Sequence, residues 1–358
     1  MNEVRKILII RFSSIGDVVL ASSLIRGLRT AYPRAQIDFL VKSHYADLVR
    51  FNHHLSSVVE LEPPERDAPR TLRKRIRNER YDVIVDIHNS LRSRYLRLFS
   101  RANLIVVVSK RVVARFLLVK FKWNFYRRVV SVADRYLEAA KSLGVSSDGK
   151  GMELFIPDQT VSSVASMLGK FRLERYDIVV GCAPAARHFT KRWPMERFVD
   201  LGVRFARDYR AKILIFGGPE DAEYCGDIAQ MINTSFGGNI AESFAGKFSL
   251  LETAAALAFC DIVVSNDTGV MHLAAAQQRK VVAIFGSTVR EFGFFPYGTE
   301  HRVVENKELR CRPCSHIGLK QCPQGHFKCM KDITVDEVLT AAKELLTQMT
   351  PESPVRSS

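Results

Sequence analysis

Ten short apolar runs, arranged as two series of five, constrain this chain more than any other feature. The first series is Ile7 to Phe12, Ile37 to Val41, Val58 to Leu61, Val83 to Ile87 and Leu104 to Val108. The pattern restarts at Ile178 to Cys182, Ile213 to Phe216, Ile240 to Phe244, Ile262 to Val264 and Val281 to Phe285. Segments with helical spacing of apolar residues separate them, such as Val18, Leu20, Leu24, Ile25 and Leu28. Strand and helix in alternation are the signature of parallel sheets, so the sequence predicts an α/β chain of two units. At 358 residues and 47% hydrophobic, it is long enough for two ordinary cores. Between the series, Pro157 to Arg175 has helical but no strand character and reads as part of a linker. A last helix is expected from Thr334, whose spacing to Glu337 forms a capping box.

Three polar islands sit where a strand gives way to a helix. The stretch Asn266-Asp267-Thr268-Gly269-Val270-Met271-His272 follows the run Ile262 to Val264. Free N–H groups and the positive end of a helix dipole favour an anion at such a turn, and Gly269 lets a ligand approach the backbone. Asp267 acting only as a helix cap, with His272 packing, is the plainer alternative. The second island is Lys191-Arg192-Trp193-Pro194, ahead of a helical pattern at Met195, Phe198, Leu201 and Phe205. Pro194 suits a first helical turn. A lysine at that end opposes the dipole unless an anion lies between them, so a bound phosphate accounts for Lys191. The third island, Ser13-Ser14-Ile15-Gly16-Asp17, presents a carboxylate after the first run. It lacks the glycines of a dinucleotide fingerprint and is no P-loop, which argues against a nicotinamide oxidoreductase.

Charge is placed unevenly. Residues 1–175 hold 32 Lys+Arg against 17 Asp+Glu, whereas the remainder has 21 of each, so the whole net charge of +15 lies in the first half. Arg66 to Arg128 alone carries 18 basic and 4 acidic residues. Aromatic and aliphatic side chains interleave with Lys120, Lys122, Arg127 and Arg128, a composition suited to an anionic membrane surface. Basic patches also bind nucleic acid, but no recognisable module for that is present, so no nucleic-acid partner is expected. No run approaches the roughly 20 apolar residues of a membrane span, and the start lacks a secretory apolar core, so a cytoplasmic location is expected.

Of seven cysteines, Cys182, Cys225 and Cys260 read as buried thiols. Cys311, Cys314, Cys322 and Cys329, near His316 and His326, have ligand-like spacing that zinc would suit, yet not a standard zinc pattern; a reduced loop is the alternative, and no metal is assigned.

Taken together, Ser14-Ile15-Gly16-Asp17, Lys191-Arg192-Trp193-Pro194, Asp267-Thr268-Gly269 with His272, and the cysteine-rich tail make the chain resemble the bacterial heptosyltransferases of glycosyltransferase family nine, of the heptosyltransferase II type, nearly end to end. One departure is Ala183-Pro184-Ala185-Ala186, where the family usually shows a Pro-Gly pair. The resemblance implies two Rossmann-like domains facing across a cleft, the GT-B arrangement. On it we expect an acceptor-binding domain over 1–165, a nucleotide-sugar domain over 166–333, and a terminal helix and tail over 334–358. Asp17 would be the general base on the acceptor hydroxyl, and Lys191 with Asp267, Thr268 and Gly269 would hold the donor diphosphate. The resemblance further implies ADP-heptose as donor, His272 and Glu220 in its site, a lipid A core glycolipid as acceptor, inversion at the anomeric carbon, and work at the inner face of the inner membrane. A D-x-D motif is absent, so a metal-free mechanism without a cofactor is expected. The rivals are a family member with another acceptor position or sugar, and a non-catalytic nucleotide- or glycolipid-binding protein.

Overall fold

A computed structural model describes residues 3–62 and 68–347. Arg66, where the basic stretch begins, and the tail from 348 onward lie outside the described residues. Contacts divide the chain into two compact units. The first comprises 1–112 and 130–155; the second comprises 113–129 and 156–358.

The first unit is built on a five-stranded parallel sheet of β1 (Lys6–Ile10), β2 (Gln36–Lys42), β3 (Ser57–Leu61), β4 (Val83–Asp86) and β5 (Leu104–Val107), in the order β3-β2-β1-β4-β5. β1 is central, and Ile7, Leu8, Ile9 and Ile10 have no exposed surface, as strands covered on both faces require. Register fixes the strand ends: Ile10 lies opposite Leu40 on one side and Asp86 on the other.

The second unit repeats the plan with six parallel strands, β6 (Ile178–Ala183), β7 (Ala211–Ile215), β8 (Ala241–Ser243), β9 (Ile262–Asn266), β10 (Lys280–Phe285) and β11 (His301–Glu305), ordered β11-β10-β9-β6-β7-β8. Its core runs from Trp193, Phe198 and Phe205 to Val338 and Leu345 on the last helix, Val335–Leu346. That helix begins as the sequence predicts, with Thr334 Oγ1 accepting from Glu337 N at 3.2 Å and Thr334 N donating to Glu337 Oε2 at 2.7 Å. In each sheet the strand order reverses once, between β1 and β4 and between β6 and β9, and ligands of open α/β sheets bind beyond the strand ends at such points.

Three features depart from the sequence reading. β11 is an added edge strand, and its half-buried His-Arg-Val-Val-Glu lacks the apolar run that marked the others. The helical character expected within 157–175 is present as the helix Asp158–Gly169, but rather than serving as linker it buries Val164 and Leu168, packs on the helix Leu250–Leu257 and passes through residue 165. The segment 113–129, expected with the first half, makes its contacts with the second unit.

Candidate functional site

Asp17 occupies the first turn of the short helix Ile15–Leu20, just beyond β1. It is 8% exposed. Ser14 donates to its Oδ2 from both N (3.2 Å) and Oγ (2.8 Å), Tyr136 Oη donates to Oδ1 at 3.2 Å, and the Arg11 guanidinium forms an ion pair with it. Burial alone would raise the Asp17 pKa, but Arg11 and the Ser14 hydrogen bonds outweigh burial and hold the carboxyl below its ordinary range. Burial and the neighbouring carboxylate raise the Tyr136 phenol, so it stays a donor. The result is a largely buried carboxylate kept ionised at a strand end. Asp17 therefore both begins a helix and carries a charge that cap duty alone does not need.

Beyond β6, Lys191 closes a short 3₁₀ turn, Phe189–Lys191. Trp193 anchors this loop: it is fully buried, donates from Nε1 to Ile333 O at 3.0 Å, and from its backbone N to Asn266 Oδ1 at 3.2 Å. Asn266 in turn donates to Pro184 O at 2.7 Å and Arg192 Nε to Ala186 O at 2.6 Å, so the Ala183-Pro184-Ala185-Ala186 stretch is tied down without the Pro-Gly pair. Lys191 Nζ lies 2.7 Å from Asp267 Oδ2, which also accepts from Thr288 Oγ1 at 2.7 Å. Asp267 thus does not cap the next helix, Gly269–Ala276; Thr268 occupies the cap position, with no side-chain cap bond. The sequence grouped Asp267 with the anion-holding groups. Its carboxylate instead holds the lysine, and the groups suited to an anion are the Lys191 ammonium and the first amides of this helix.

His272, one turn into that helix, is 3% exposed, with its ring 6.4 Å from that of Phe294. Glu220 sits apart on an exposed turn, Pro219–Asp221, beyond β7. A brace connects it to the lysine loop, since Arg192 pairs with Asp221 at 3.4 Å and lies over the Tyr224 ring.

The cysteine-rich segment frames this site from outside. Arg312 donates to Gly286 O at 2.5 Å and Thr288 O at 2.9 Å and pairs with Glu305 at 2.8 Å. Cys314 N donates to Ser287 O, and Leu319 N donates to Thr190 Oγ1, next to Lys191. Cys311 Sγ lies 3.8 Å from His326 Nε2, and burial pushes the Cys329 thiol up to about 12. All seven cysteines are free, and among the described residues no group of three or more His, Cys, Asp or Glu side chains is placed to hold a metal ion.

Lys120, Arg127 and Arg128 are exposed, near exposed Phe116 (57%), Trp123 (58%) and Phe125 (60%). Lys122 differs from the expectation: its ammonium donates to Pro313 O at 2.6 Å and Val119 O at 2.8 Å, so it fastens the segment to the second unit. No helix among the described residues is long and apolar enough to cross a membrane.

Comparison with known proteins identifies the family. The profile of Glycosyltransferase family 9 (heptosyltransferase) matches residues 69–325. The chain belongs to glycosyltransferase family 9. Among curated relatives of this family 9 chain, lipopolysaccharide heptosyltransferase 2 of Salmonella typhimurium is 27% identical over 96% of this chain and 99% of that protein. Lipooligosaccharide heptosyltransferase 2 of Campylobacter jejuni is 34% identical, over 47% of this chain and about half (51%) of its own length. Among solved structures, ADP-heptose lps heptosyltransferase II of E. coli superposes with TM-score 0.71 at 24% identity, covering 96% of this chain and 99% of that one. The fold is therefore that of the GT-B glycosyltransferases, with two Rossmann-like units.

Three groups escaped the sequence reading. Tyr136 and Thr288 reach their aspartates from distant segments, and Arg11 lies unremarked within the apolar run Ile7 to Phe12; in each case the partner is set by the folded chain.

Proposed function

We propose that this family 9 enzyme is an inverting transferase that moves heptose from ADP-heptose to the inner core of lipopolysaccharide. Such a transfer needs a base for the acceptor hydroxyl and a sink for the charge of the leaving nucleotide, and the chain supplies one in each unit. The observation that carries the reading is Asp17, a buried carboxylate kept ionised by Arg11 at the carboxyl end of β1. The acceptor oxygen attacks the anomeric carbon as its proton passes to Asp17, and the bond from that carbon to the β-phosphate oxygen breaks with ADP as leaving group. Lys191 and the Thr268 and Gly269 amides receive the diphosphate, whose negative charge grows as that bond breaks. Asp267 acts through Lys191 by fixing its ammonium. His272 and Glu220 complete the donor site. In this reading the acceptor is lipid A core glycolipid; the name of the Salmonella relative supports lipopolysaccharide as the acceptor class, and that of the E. coli structure supports ADP-heptose as donor.

The exposed aromatic and basic segment around residues 113–129 serves as a contact with an anionic membrane surface, with Lys120, Arg127 and Arg128 as its cations. That contact places the enzyme peripherally on the inner face of the inner membrane. The domain limits we propose follow the contact units rather than a cut at residue 165, which would divide a helix.

The deciding experiment incubates the purified chain with ADP-heptose and a panel of truncated lipopolysaccharides and weighs the products. The expected outcome is one added heptose on a single acceptor class with stoichiometric ADP release. Absence of both across the panel overturns the reading.

A further inference from the structure

The acceptor side of the site has a second side chain that the family motifs do not single out. His88 lies two residues beyond β4, so it flanks the same strand-order reversal as Asp17, which lies beyond β1. In the second unit both strands at the corresponding reversal contribute, Lys191 after β6 and Asp267 after β9. In the first unit one guanidinium links the two positions: Arg11 pairs with Asp17 and donates from Nη1 to Ile87 O at 2.7 Å, one residue before His88.

The backbone there is held firmly, with His88 N and Asn89 N both donating to Asp86 Oδ1 at 3.0 and 2.7 Å. The imidazole packs on Phe12, ring centres 4.5 Å apart. Its Nδ1 is buried with no hydrogen-bond partner among the described residues, and the half-buried ring leaves Nε2 as its outward nitrogen. Burial, then the cations Arg11 and Lys110, outweigh the opposing pull of Asp17 and push the His88 pKa down to about 3, so the ring is neutral. A buried orphan N–H is rarer than a buried orphan acceptor, so we assign the single ring proton to Nε2.

We infer that His88 is an acceptor-binding residue, whose Nε2–H donates to an oxygen of the saccharide beside the hydroxyl that Asp17 deprotonates. This rests on the reading of Asp17 as the acceptor-side base. The ligand class is a polyhydroxylated sugar, for which a neutral donor beside a carboxylate fixes which hydroxyl faces the base. Because the ring stays neutral, this hydrogen bond persists across the working pH range.

The test is steady-state kinetics on the full chain with ADP-heptose and the acceptor identified above, using His88→Phe, which keeps a ring against Phe12 but lacks the donor, and His88→Gln, which keeps an N–H near the Nε2 position. His88→Phe should raise the acceptor KM roughly tenfold, the loss of one good hydrogen bond, with donor KM and ADP affinity unchanged. His88→Gln should stay within about threefold of the parent, and neither variant should move the acid limb of the pH profile. An unchanged acceptor KM in His88→Phe overturns the inference, and so does equal loss in both variants, which would mark a packing role. Asp17→Asn run in parallel separates the two ideas: if it turns over normally the base assignment fails, whereas a slow Asp17→Asn beside a normal His88→Phe removes only His88.

Discussion

Removing Arg11 tests whether the ion pair keeps Asp17 ionised for its proposed role as base. In Arg11→Met the aliphatic stem is retained, but the Asp17 ion pair, the donor to Ile87 O and the cation 5.8 Å from the centre of the Tyr136 ring are lost. Side-chain exposures of 10% and 12% make this a buried pair, and leaving one buried charge without its partner costs about 3–5 kcal/mol. The pH dependence has a definite sign. In the parent, Asp17 is held below its ordinary value, so its contribution is present above the unfolded pKa of about 3.9 and is lost as pH falls through the lower folded value. In the variant, burial acts unopposed by Arg11 and raises the carboxyl, so ionisation opposes folding as pH rises above about 4. The stability gap between the two proteins should therefore be widest near neutrality and narrow in acid. Urea unfolding at about pH 7 and pH 4 measures that gap, and kcat/KM against pH should show an acid limb moved upward. A gap under about 1 kcal/mol at neutrality, or an acid limb that does not move, would refute the account of Asp17.

Asp17→Asn keeps the shape of the site and should lower turnover by about 100-fold or more while ADP affinity survives; near-normal turnover sinks its role as base. Lys191→Ala should weaken ADP binding by about 1.5–3 kcal/mol by calorimetry, and unchanged affinity would reject the diphosphate contact. Liposomes with anionic lipid should sediment the protein at low salt and release it at high salt, and Lys120→Glu, Arg127→Glu and Arg128→Glu combined should abolish sedimentation; equal binding to neutral liposomes would leave this charge as a solvated face.

The sheets were legible because a parallel strand covered on both faces is apolar at nearly every position. Ile7 to Ile10 and Val263 to Val264 satisfy that, and the sequence locates β1 and β9 within a residue or two. β11 fails the same test. As an edge strand paired on one side only, it tolerates His301, Arg302 and Glu305, and nothing local distinguishes it from a loop. Segment 113–129 differs for a related reason: its charge matches the first half, but charge on an exposed surface does not decide packing, whereas a contact such as the Lys122 bond to Pro313 does.

Within the site, turns were legible and their pairings were not. A strand-to-helix turn is encoded within a few residues, so Asp17, Lys191 and Thr268-Gly269 stand out as polar islands. What each group does there depends on partners that arrive from elsewhere in the fold. Asp267 shows the consequence: beside a glycine at a helix start it reads as part of an anion site, yet a carboxylate would repel a diphosphate. Its charge becomes useful only because Lys191 comes within 2.7 Å from another strand end and Thr288 supplies a second hydrogen bond. Arg312, from the cysteine-rich loop, holds the Thr288 carbonyl, so that loop steadies the lysine without touching it through a cysteine. The same logic governs Asp17, whose ionised state is set by Arg11 and whose orientation is set by Tyr136, 119 residues away. At both strand-order reversals a short local motif supplies the charged group, and a partner from farther along the chain, Tyr136 for Asp17 and Asp267 for Lys191, holds it in place.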